Sequence, residues 1–93
     1  MEEKKRTRFQ IYSDILEALS EELKSEPNPQ PSKIAHKANL PYDRFRSYFD
    51  NLMQLGLIYS NPGSRLAITE RGEEYVREVR RHNEFLRKMR LIE

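Results

Sequence analysis

Residues 42–72 read YDRFRSYFDNLMQLGLIYSNPGSRLAITERG, and three patterns follow one another within them. Phe45, Tyr48, Phe49, Leu52, Met53 and Leu55 recur at helical spacing from Tyr42 to Leu55, and Gly56 stands where a left-handed C-cap is wanted. Leu57-Ile58-Tyr59-Ser60 and Arg65-Leu66-Ala67-Ile68 then flank Asn61-Pro62-Gly63-Ser64, which predicts a tight β-hairpin. Thr69 is a natural N-cap, and Glu70 behind it suits a helix start.

Upstream, Ser32 offers an N-cap to a short helix over Lys33–Ala38, and Asn39-Leu40-Pro41 breaks it before the next helix begins. Two helices so close together predict a helix-turn-helix. An earlier helix, Arg6 to Lys24, carries Phe9, Ile11, Tyr12, Ile15, Leu16, Leu19 and Leu23 on one face. Residues 25–31, SEPNPQP, end that helix as a stiff linker, because alternate prolines favour extended backbone. Residues 1–5 have no periodicity and are expected to fray.

Downstream, a helix from Glu70 to about Leu91 contains 22 residues, about 33 Å at 1.5 Å each. Its apolar stripe is Tyr75, Val79, His82, Leu86 and Met89, with Val76 and Phe85 on the flanks, a heptad-like seam. The rest of the chain offers nothing to cover His82, Phe85, Leu86 and Met89. Burying such side chains is worth about 1.5–3 kcal/mol each, so a second copy is expected to cover them across a two-fold axis. The alternative is packing on the chain's own first helix. The expected division is a winged helix-turn-helix domain over 6–72 and a dimerisation helix over 73–92.

The order helix, helix, helix, hairpin, long helix makes the fold class mainly α with a small β-hairpin. Leu55-Gly56-Leu57-Ile58 with Leu66-Ala67-Ile68-Thr69-Glu70-Arg71-Gly72 resembles the "LGLI…LTxxG" passage of winged-helix transcriptional regulators. Ala38-Asn39-Leu40, Tyr42, Tyr48, Leu52, Met53 and Asn83-Glu84 are similar to the archaeal 10a family of small DNA-binding proteins. That resemblance covers roughly residues 8 to 90. It implies a winged helix whose C-terminal helix pairs antiparallel in a homodimer.

Composition excludes much else. The chain has 93 residues, 37% hydrophobic and 34% charged, with no cysteine, two histidines and three glycines. So small a domain hides only about 60–65% of its unfolded surface, and neither disulfide nor thiolate metal site can reinforce it. No apolar run approaches the ~20 residues of a membrane span, and no signal peptide is legible. No paired carboxylates or Gly-rich phosphate loop suggest an enzyme, and no cofactor or metal site is expected. The expected location is cytoplasmic, at the nucleoid if DNA is bound.

The net charge of +2 hides an uneven distribution. Asp14, Glu17, Glu21, Glu22 and Glu26 oppose Lys24 alone, whereas Lys33, Lys37, Arg44, Arg46 and Arg65 oppose Asp43 and Asp50. Arg80, Arg81, Arg87, Lys88 and Arg90 form a third, basic block against Glu84. Basic surfaces attract polyanions, so double-stranded DNA is the expected partner. In a winged helix the third helix enters the major groove and the wing reaches phosphate or the minor groove. Arg44 and Arg46 are candidate phosphate or guanine contacts, Ser47, Asn51 and Gln54 candidate base readers, and Ser32, Lys33 and Lys37 candidate phosphate anchors. Arg65 is the candidate wing contact, and Tyr42 is the one aromatic residue expected near DNA. Asp43 suits a helix N-terminus, but Asp50 would face phosphate or a cytosine amino group. The alternative is an adaptor whose winged helix docks a protein, such as a component of the transcription machinery, without touching DNA.

Overall fold

The computed structural model describes residues 6–61, 63 and 65–90. Helix α1 spans Arg8–Ser25, α2 Pro31–Lys37, α3 Tyr42–Gln54 and α4 Glu70–Lys88, with strands β1 (Ile58–Tyr59) and β2 (Ala67–Ile68) between α3 and α4. This is the expected mainly α class with a small antiparallel hairpin. Residues 1–5, expected to fray, lie outside the described residues.

The start of α1 is a reciprocal cap: the Gln10 amide donates to Thr7 Oγ1 at 3.1 Å, and the Thr7 amide donates to Gln10 Oε1 at 2.8 Å. The helix thus begins two residues later than Arg6. The inward row of α1 meets Ile34 and Ala35 of α2 and Phe45, Phe49 and Leu52 of α3 in one core. Phe45, Ile15, Leu16, Leu19, Ile34 and Leu52 are fully buried there. Aromatic packing adds to it, with Phe45 and Phe49 rings 4.9 Å apart and Tyr12 edge-on to Tyr48 at 5.9 Å.

Several expectations need correction. Ser32 does not cap α2: the N-cap is Gln30, which makes no side-chain bond, and Pro31 is the first helical residue. Proline has its φ preset for that position and no amide left unsatisfied, so the "linker" already contributes to the helix. Phe9 and Leu55, read as members of buried stripes, are 67% and 48% exposed. Phe9 stands in the first turn of α1 and Leu55 is the C-cap of α3; α4 and its cap reach the backbone at both ends but leave these two side chains uncovered. Gly56, at φ +78, follows as the left-handed residue expected.

The hairpin is shorter and looser than expected. Only Ile58↔Ile68 and Tyr59↔Ala67 pair, so residues 60–66 form the connection. Pro62 can donate no ladder bond; together with Ser64 it lies outside the described residues. Ile58 faces the core and Tyr59 the solvent.

Helix α4 is anchored at its root. Thr69 Oγ1 accepts from the Gly72 amide at 3.0 Å and donates to the Gly56 carbonyl at 2.7 Å, so one side chain starts α4 and holds it to the end of α3. Tyr75 and Val76 pack on the core, and the Tyr75 hydroxyl donates to the Phe9 carbonyl at 2.8 Å. Burial raises the Tyr75 phenol above its ordinary pKa, and the neighbouring Tyr12 adds to the shift. Beyond Arg80 every described residue of α4 is exposed except half-buried Leu86. The helix ends at Lys88, earlier than Leu91, with Met89 as C-cap and Arg90 at φ +60. Residues 91–93 lie outside the described residues.

Candidate nucleic-acid interface

Helices α2 and α3 meet through a turn built by chemistry that the local pattern only half reveals. Asn39 takes the left-handed conformation, φ +61, which Asn tolerates better than most side chains. The Leu40 amide returns to the Ala35 carbonyl at 3.0 Å, closing the end of α2. The remaining carbonyls of this turn are taken by Arg6: its guanidinium donates to Ala38 O and Asn39 O, both at 2.8 Å, and to Asp14 Oδ2, also at 2.8 Å. Sequence reasoning missed Arg6, because its partners lie 32 and 33 residues away and no short-range pattern announces them.

The solvent face of α3 carries Tyr42, Asp43, Arg44, Arg46, Ser47, Asp50 and Gln54, all exposed, with Asn51 half-buried at its edge. Arg46 lies 3.7 Å from Asp50, one turn on. Asp50, which had no evident purpose on a DNA-facing surface, is therefore the intrahelical partner of Arg46. Exposed pairs of this spacing are worth about 0.3–0.5 kcal/mol, so phosphate can displace the carboxylate at little cost. Arg44 has no carboxylate partner among the described residues.

The basic anchors on α2 are held differently. Lys33 Nζ lies 3.3 Å from Glu26 Oε2, and Lys37 Nζ lies 3.4 Å from Glu22 Oε2. Arg80 of α4 reaches Glu17 at 3.1 Å, and Arg6 takes Asp14. Four of the five acids between residues 14 and 26 are thus matched by cations from other segments, and the charge asymmetry of the sequence largely cancels in space. Ser32 is exposed beside Lys33.

On the wing Arg65 is exposed, and so is Tyr59, at 51%. The Asn61 side-chain amide donates to the Tyr59 hydroxyl at 2.6 Å, so the phenol is oriented on the outer face of β1. In the sequence Tyr59 stands with Tyr42, Tyr48 and Phe49 as a candidate stacking face, of which Tyr42 alone is kept as a DNA contact. The alternation of Tyr59 with buried Ile58 is the signal that would have found it.

The predicted dimer residues share one side of α4 in part. Tyr75, Val79, His82 and Leu86 line an open groove of about 940 Å³ whose opposite wall is Phe9, Gln10, Tyr12 and Ser13 of α1, closed below by Leu55 and Leu57. Phe85 and Met89 lie outside that lining, each 56% exposed. Packing of α4 on α1 is therefore partial: it covers the root of α4 and leaves the tip bare. Among the described residues no helix is long and apolar enough to cross a membrane, and no group of three His, Cys, Asp or Glu side chains is placed to hold a metal ion.

The model of one protein family matches residues 5–87, and its description is winged helix-turn-helix, a broader level than the archaeal 10a proteins. No curated protein matches the chain. The match takes in every helix and both strands apart from the last residue of α4, and those elements follow in the order such domains require. The chain belongs to the winged helix-turn-helix family.

Proposed function

We propose that this protein is a homodimeric DNA-binding factor, a transcriptional regulator or chromatin-associated protein that reads duplex DNA with α3 and the wing. Residues 6–72 form the DNA-binding body and 73–92 the dimerisation segment. The observation that carries the reading is Arg44: an exposed guanidinium on the solvent face of α3, without a carboxylate partner among the described residues, beside Ser47 and Asn51. A planar fork of donors in that position suits phosphate or the guanine edge. Arg46 joins it once Asp50 yields, Gln54 and Tyr42 extend the face at either end, and Arg65 and Tyr59 reach from the wing. Lys33 contacts phosphate by exchanging the exposed Glu26 carboxylate for it, which costs little; Lys37 does so by leaving the less exposed Glu22, and Ser32 stands exposed beside Lys33.

Homodimerisation rests on the bare tip of α4, where Phe85 and Met89 are both more than half exposed. Two copies double the phosphate contacts and set the half-site spacing. Such a protein works at the nucleoid, in the cytoplasm.

A second reading draws on the salt bridges of Lys33, Lys37 and Arg46, which lower the free positive charge of this face: the domain docks a protein of the transcription machinery instead. A salt titration of duplex binding, in a gel-shift assay, separates the two. Affinity that falls steeply with salt supports DNA. Binding that is absent in low salt, or that persists unchanged when Arg44 and Arg46 are both replaced by Ala, overturns it.

A further inference from the structure

Folding matches the cations around α2 and α3 with acids but leaves those of α4 largely unmatched. Lys33 and Lys37 lie against Glu26 and Glu22, Arg6 against Asp14, and Arg46 against Asp50. Residues 77–90 show the reverse. They hold Arg77, Arg80, Arg81, Arg87, Lys88 and Arg90 against Glu78 and Glu84, a net +4 in a chain whose total is +2. All six cations are exposed. Arg77, Arg87, Lys88 and Arg90 have no carboxylate partner among the described residues. Five of the six share one side of the helix. Tyr75, Val79, His82 and Leu86 line the groove along α1, and none of Arg77, Arg80, Arg81, Arg87 and Lys88 does. At roughly 100° per residue those five fall within an arc of about 120° on the opposite side. From Arg77 onward only Glu84 interrupts it.

We infer that this outer ridge of α4 is a second DNA-binding surface, which holds the phosphates of a duplex while α3 makes the base contacts. The inference rests on the DNA-binding function proposed above and adds a site to it. From Arg77 to Lys88 the ridge is about 17 Å long at 1.5 Å per residue. One strand of a duplex presents a phosphate about every 3.4 Å, so roughly five lie along that length. The helix dipole favours cations in the last turn, which accounts for Arg87 and Lys88. It does not account for Arg77, Arg80 and Arg81, which stand in the middle of α4. An anionic membrane fits the ridge less well than DNA does. A helix that lies in a membrane surface buries its apolar face there, whereas the apolar stripe of α4 is turned to the groove along α1. Arg80 and Arg81 hold Glu17 and Glu78 only through exposed pairs, which phosphate displaces at little cost.

Salt titrations of duplex binding by the full chain test this. One variant combines Arg77→Gln with Arg87→Gln, exposed positions where Gln keeps good helix propensity. A control combines Arg8→Gln with Lys24→Gln, which removes the same charge from exposed positions on α1. The ridge variant is expected to flatten the slope of log K against log salt by about 1.8, two phosphate contacts at ~0.9 each. The control is expected to keep the slope of wild type. The loss should be equal on two duplexes of unrelated sequence, because backbone contacts read no bases. An unchanged slope in the ridge variant, or an equal change in the control, overturns the ridge; a loss under Arg44→Ala in the same assay then leaves the α3 reading standing. Wild type is also mixed with vesicles of anionic phospholipid. Vesicle binding that the ridge variant loses, with its slope on DNA unchanged, assigns the ridge to lipid and overturns the inference. A wild type that binds no duplex in low salt overturns the DNA function itself, and the ridge with it.

Discussion

Gly72 sits directly against the carbonyl oxygen of Leu57: a Cβ built at this position would collide with that oxygen and come within 2.7 Å of the Ile68 side chain. The first turn of α4 thus lies flush on the base of the hairpin, an approach that only glycine allows. Gly72→Ala is expected to destabilise the fold by about 1–3 kcal/mol, as overpacking does elsewhere, because a backbone carbonyl cannot swing aside. Thermal unfolding followed by circular dichroism would show it, and a melting temperature at or above wild type would contradict the packing described.

Thr69 has two jobs, and its loss should cost more than an ordinary cap. Replacing an N-cap Thr by Ala costs about 0.5–2 kcal/mol, and here the Gly56 carbonyl also loses its 2.7 Å donor. Denaturant unfolding of Thr69→Ala is expected in the upper half of that range. Thr69→Ser keeps the hydroxyl and should restore most of the stability.

Arg6 ties three segments together without touching the solvent face of α3. Arg6→Ala is expected to speed amide hydrogen exchange at Asn39 and Leu40, since the Ala38 and Asn39 carbonyls lose their donors. Unaltered exchange at the turn would show that the α2–α3 junction stands without it.

Arg44 and Lys33 should differ in their contribution to DNA binding. Each phosphate contact contributes about 0.9 to the slope of log K against log salt, so Arg44→Ala should flatten the slope by roughly that amount. Lys33 must first leave Glu26, and Lys33→Ala should weaken binding less. Equal losses for the two would mean that the Lys33–Glu26 pair does not persist near DNA.

Alkaline stability should report on Tyr75. Its folded-state pKa is raised, mainly by burial, so the stabilisation is complete below the unfolded value of about 10. It declines as pH climbs from there through the folded value, because the unfolded chain ionises first. The ionised phenol also has no proton to give to the Phe9 carbonyl. Denaturation midpoints of wild type and Tyr75→Phe should diverge least at the highest pH, and a constant difference across the alkaline range would contradict this.

The linear order of elements was legible because its signals are local. Helical spacing in α1, α3 and α4, the cap at Thr69 and the left-handed Gly56 each act within a few residues, and so do the turn residues around Asn39 and Gly63. They select helix, helix, helix, hairpin, helix without reference to the rest of the chain. What lies across space was decided only by folding. Lys33 and Lys37 appear free in a basic stretch until Glu26 and Glu22 are brought alongside. Phe9 and Leu55 look like core residues because periodicity reports which side of a helix is apolar and not whether another element covers each side chain. Arg6 gains its purpose from carbonyls more than thirty residues distant. Propensity and capping energies are short-range, whereas burial and charge pairing depend on which surfaces the finished packing brings into contact.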